Sequence, residues 1–151
     1  MKRYIGIALF ILFLMPLFSS WAQEEKTPLQ VILKMDNKFL VFRLNDSSVA
    51  KEFYDLLPLD VSIKDFAGKE KIFYLPKKLQ TLDAPEAKPR AGTLAYYAPW
   101  GNIAIFYEEA DAASGLYEIG LCVSGAEYIK DLEGEARLEK VEGISCFVCP
   151  R

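Results

Sequence analysis

The sequence predicts a mainly β protein, a small barrel carrying one or two short helices. Three observations carry this reading. Short apolar or alternating runs recur along the chain, each bounded by Gly, Pro, Asn or Asp. Helical spacing of apolar residues is confined to the neighbourhood of residues 49–57, with a second short candidate at 126–132. The runs 93–97 and 102–108 are largely apolar on both faces, which suits a hairpin buried within a barrel better than one on a single-layer sheet.

In chain order, residues 30–36 and 38–44 form a hairpin about Asn37. In the second run Phe39, Val41 and Arg43 face one way and Leu40, Phe42 and Leu44 the other. Asp46, Ser47 and Ser48 can cap a helix that buries Val49, Ala50, Phe53, Leu56 and Leu57, and Pro58 ends it. Residues 60–66 and 71–75 have strand character around a break at Ala67-Gly68-Lys69. A long connection, 77–92, with Pro85 and Pro89, is expected to be mobile or to wall a site. Ala98-Pro99-Trp100-Gly101 fits a type I turn with Pro second and Gly fourth, joining strands 93–97 and 102–108. A turn at 112–115 leads to a strand at 116–123, and Ser124-Gly125 opens the short helix 126–132. Residues 136–142 alternate as a last strand. There is no internal repeat and no low-complexity tract.

Residues 1–22 have the layout of a secretory signal peptide: Lys2 and Arg3, an apolar run from Ile5 to Phe18, then small residues ending at Ala22. That run is shorter than the roughly 20 residues of a spanning helix, so cleavage after Ala22 is favoured over an anchor. No stable membrane span is expected after cleavage, and the protein is expected to be exported, periplasmic or secreted. A polar lead at 23–28, one domain at 29–142 and a Cys-containing tail at 143–151 would remain. Loss of Lys2 and Arg3 takes the net charge from −3 to −5, which argues against nucleic acid as a partner. The chain has no His. Ser-His and Cys-His nucleophiles and His metal ligands are therefore excluded, and carboxylates, Lys, Tyr and thiols are the remaining acid-base groups.

The order hairpin, short helix, "LPLDVSIKDFAGKEKIFYLPKKL", "YYAPWGNIAIFY" and "SGLYEIGLCVSG" resembles the bacterial cyclophilin-like proteins, from Leu29 to Leu138. Leu57-Pro58-Leu59, Gly68 with Glu70-Lys71, Leu75-Pro76 and Pro99-Trp100-Gly101-Asn102 carry the resemblance. It implies a cyclophilin-like closed β-barrel. Cyclophilins proper are peptidyl-prolyl isomerases whose sites set an Arg and a Gln beside an apolar pocket, donors that assist twisting of the amide. By resemblance the Arg is expected within 60–75, where this chain has only Lys64, Lys69 and Lys71, and Lys is a poor replacement for a planar fork. The Gln is expected just after the Gly of the hairpin, where Asn102-Ile103-Ala104 stand. Thr93 follows Gly92 where the bacterial family commonly carries Asp. The expectation is a non-enzymatic binding module, with a weak envelope isomerase or a thiol-disulfide partner as alternatives.

Leu94, Tyr96, Ile103, Ile105 and Phe106 read as barrel core. Trp100, in a turn, does not. With Tyr97, Asn102 and Tyr107 it is expected to line the barrel mouth and to accept a small molecule or extended peptide. Lys71 joins these as a candidate because the resemblance puts its motif near that mouth. Glu108, Glu109 and Asp111 match no established cation loop and read as a solvated strand end. No cofactor or metal is expected. Cys146 and Cys149 are too close to the C-terminus to open a thioredoxin-type helix. A structural or incidental disulfide is the leading reading, pairing of a tail cysteine with Cys122 is the close competitor, and one thiol is left over in either case.

Overall fold

The computed structural model describes residues 27–141. These fold as a closed barrel of eight antiparallel strands. β1 (Gln30–Met35) and β2 (Lys38–Leu44) form the first hairpin, and the helix α1 (Ser48–Asp55) follows. β3 (Leu59–Phe66), β4 (Glu70–Tyr74), β5 (Thr93–Tyr97), β6 (Asn102–Phe106) and β7 (Leu116–Ser124) come next. A 3₁₀ helix (Ala126–Asp131) then leads to β8 (Gly134–Lys140). Around the barrel the order is β1-β2-β7-β5-β6-β4-β3-β8, and β8 closes the ring by pairing with both β3 and β1.

Strand parity decides what fills the barrel. In β2, Leu40, Phe42 and Leu44 are buried. On the β4–β6–β5 wall, Phe73 faces Ile103 and Ile103 faces Tyr96, forming one row of large buried side chains. These side chains, with Val31, Leu33, Leu94, Ile105, Ile119 and Leu138, fill the interior. α1 is capped by the Ser47 hydroxyl, which accepts from the Ala50 N–H, and it adds Val49, Ala50 and Phe53 to that core.

The wall is apolar on both sides because its outer side is covered as well. Ile72, Ala95, Ala104 and Phe106 form a second, smaller cluster with Ala87 and Leu116. The connection 77–92 packs down along its length. Its Leu79 N–H donates to the Tyr96 hydroxyl (3.0 Å), and Ala87 N–H donates to the Leu116 carbonyl (2.9 Å).

Candidate functional site

Residues Glu70, Ile72 and Tyr74 of β4 lie opposite Phe106, Ala104 and Asn102 of β6, and Ala104 and Asn102 lie opposite Ala95 and Tyr97 of β5. These residues share the outer face of the wall. Ala95 and Ala104 are small, so the wall is thin where they meet. Larger groups surround them: Phe66 at the end of β3, Trp100 in the β5–β6 turn, and residues 110–116 running across. The result is a cleft of about 250 Å³ lined by Phe66, Lys69, Glu70, Tyr97, Trp100, Asn102, Ala104, Phe106, Asp111 and Leu116, among others.

Trp100 is half exposed (50 %) and is held by its neighbours rather than buried by them. Its indole meets Phe66 edge to face at 5.5 Å and Tyr97 at 5.4 Å. The turn beneath it is closed by Gly101 N–H to the Tyr97 carbonyl (2.9 Å), with Gly101 at φ 72. This is one residue wider than the type I turn expected over 98–101. The bond Ala98 N–H to Gly115 O (2.9 Å) ties the turn to the start of β7.

The polar groups of the cleft are few. Asn102 is 2 % exposed. Its Nδ2 donates to the Ile103 carbonyl (3.3 Å), while its Oδ1 is buried without any partner. A buried acceptor left unpaired costs about 1–3 kcal/mol, so such an atom marks a place where a donor is missing. Glu70 is half-buried, and that burial pushes its carboxyl pKa up. Asp111 and Lys69 are exposed on the rim.

The candidates read from the sequence separate into two groups. Tyr97, Trp100 and Asn102 come together in the cleft; Lys71 and Tyr107 do not join them. Lys71 lies opposite Ile105, on the inward row of β4. It is 4 % exposed and its Nζ pairs with Asp65 Oδ1 at 2.9 Å. The Tyr107 hydroxyl donates to the same Asp65 oxygen at 2.7 Å, and its ring lies beneath the Lys71 and Lys130 ammonium groups at 5.6 and 5.8 Å. Lys71 above all, then Tyr107, holds the Asp65 carboxyl below its ordinary pKa. Tyr107 is itself pushed up to about 12, by burial first and by Asp65 second. The barrel interior is filled by side chains, and the cleft lies on the outer wall, away from Lys71 and Tyr107.

The long connection does not wall this cleft, because none of residues 77–92 lines it. Phe66, Glu70 and Phe106 are lining residues that sequence reasoning missed as site residues. Their signal was parity: Phe106 and Asn102 are four apart in β6 and so share a face. Cys122 is a free, half-buried thiol whose pKa burial raises, and its Sγ bonds the Ser124 carbonyl at 3.2 Å. Cys146 and Cys149, and so the expected disulfides, lie outside the described residues. Among the described residues no group of His, Cys, Asp and Glu is placed to hold a metal ion, and no helix is long and apolar enough to cross a membrane.

A model of the cyclophilin-like family matches residues 33–140. The chain belongs to the cyclophilin-like family. A solution structure of a hypothetical protein from Archaeoglobus fulgidus is similar to this cyclophilin-like chain with a TM-score of 0.59 at 16 % identity, over 79 % of this chain and 99 % of that one. At that identity the likeness concerns the fold. None of the curated proteins matches the sequence.

Proposed function

We propose that this cyclophilin-like chain is a non-enzymatic binding module, exported under the direction of residues 1–22, whose outer cleft accepts a compact apolar group carrying a hydrogen-bond donor. The ligand is a small molecule or one side chain of an extended peptide. The observation that carries this reading is a mostly apolar cleft lined by Asn102, a buried side chain whose Oδ1 has no partner. A donor seated there satisfies an atom that folding leaves buried. Pockets of this composition, mostly apolar with a few convergent polar groups, are the usual form of small-ligand sites.

Native mass spectrometry of protein purified from its own host tests the reading. We expect a retained small molecule on the wild type and none on Trp100→Ala or Ala104→Leu. The first removes a wall; the second fills the floor. Retention by both variants would place the ligand elsewhere.

The rival reading, a weak peptidyl-prolyl isomerase of the cell envelope, draws on the family alone. The described residues lining the cleft include no Arg, Gln or His. A proline-peptide isomerisation assay decides between the two, with no acceleration above background expected.

A further inference from the structure

We propose that the group taken by the outer cleft is an organic cation, a substituted ammonium that keeps at least one N–H, borne by a small amine or by a methylated lysine side chain. The proposal rests on that cleft being the ligand site. Phe66, Tyr97 and Trp100 meet in it, with the indole nearly perpendicular to both neighbours, at 88° and 78°. Trp100 thus stands edge to face against each of its two neighbours, and the cleft presents aromatic surface from all three residues. A cation within about 6 Å of such ring centroids is attracted by their quadrupoles, most strongly by Trp.

The polar groups of the cleft point the same way. Asn102 lines the cleft and its buried Oδ1 has no partner, so a ligand that reaches it gains by carrying a donor, which an ammonium N–H supplies and a hydrocarbon does not. Glu70 and Asp111 add two carboxylates, one of them half-buried. Among the described residues of the lining Lys69 alone is cationic, and it is exposed, free to swing into water. An anionic ligand would face both carboxylates and the unpaired acceptor. A neutral apolar ligand would leave that acceptor unsatisfied.

Isothermal titration calorimetry of the full chain with N,N-dimethylethanolamine and with isoamyl alcohol, its neutral carbon isostere, is the test. We expect the ammonium to bind at least about tenfold more tightly than the alcohol. Trp100→Phe should weaken it and Trp100→Ala should abolish measurable binding. Glu70→Gln should weaken the ammonium and leave the alcohol unchanged. Trp100 is half exposed, so its variants are expected to keep the wild-type melting transition, which is measured alongside. An N-acetylated dimethyllysine amide separates the two sources: tighter binding than the free amine indicates a protein side chain, equal or weaker binding a small amine. Equal binding of ammonium and alcohol, lost in Trp100→Ala, would overturn the cation and leave the apolar binding cleft standing. Binding of neither probe would also overturn the cation, while ligand retention on the purified protein would still decide whether the cleft is a site.

Discussion

Lys71 shows how one residue's parity assigns its role. On the inward row of β4 its side chain is buried and its ammonium pairs with Asp65, which also accepts from Tyr107. Removing the carboxylate strands a buried ammonium. We expect Asp65→Asn to cost about 1–2 kcal/mol, less than the roughly 3–5 of a fully buried broken pair because Asp65 is partly solvated. The pH dependence follows from the lowered Asp65 pKa. A carboxyl depressed in the folded state contributes stability that is complete above its unfolded value, about 4, and lost as pH falls through the folded value. The wild-type melting temperature should therefore fall in acid along a limb that Asp65→Asn lacks. The same variant should bring the Tyr107 titration down from about 12 in a pH series of tyrosine NMR spectra, because Asp65 contributes to raising it. Trp100 and Tyr97, which line the cleft, were legible as candidates because a Trp in a Pro-Gly turn has little core to enter. Tyr107 was not separable from them, since aromatic content alone does not say which face of the barrel a residue joins.

The β5–β6 hairpin and the start of β7 are the elements that shape the cleft. Gly115 has φ 83, and a Cβ there would lie 2.9 Å from the Pro99 ring. Gly115→Ala therefore combines a left-handed backbone, costing about 1–2 kcal/mol for an L side chain, with a clash against the turn that carries Trp100. We expect a lower melting temperature and a shifted Trp100 fluorescence maximum in the same variant. Strand positions were legible from alternation and turn residues, and all eight strands begin and end within two residues of the sequence reading. β6 stops at Phe106 rather than 108 because Tyr107 and Glu108 N–H groups both donate to the Lys69 carbonyl, drawing the chain off the ladder. That bond is tertiary, and nothing in the local pattern announces it.

At the scale of the molecule, closure of the barrel depends on β8, which pairs with β3 through 59–63 and with β1 through 31–34. Deleting residues 134–151 would expose both edges at once. We expect that truncation to lose its cooperative melting transition and to elute as aggregate in size-exclusion chromatography. The barrel itself was legible from two-sided apolar strands, and the cyclophilin-like family match over 33–140 bears it out. The location of the cleft was not. A wall buried on both faces gives the same sequence pattern whichever side is interior, and only the register of β4, β6 and β5 puts Ala95 and Ala104 on the outside. We propose the ligand on this outer wall and not at the barrel end by Tyr107. The direct measurement is a ¹H–¹⁵N NMR spectrum of the protein before and after addition of a low-molecular-mass extract of its host. Shifts at the Trp100 indole N–H and the Asn102 carboxamide are predicted; an unchanged pair of signals, or shifts gathered around Tyr107 and Lys130, would contradict it.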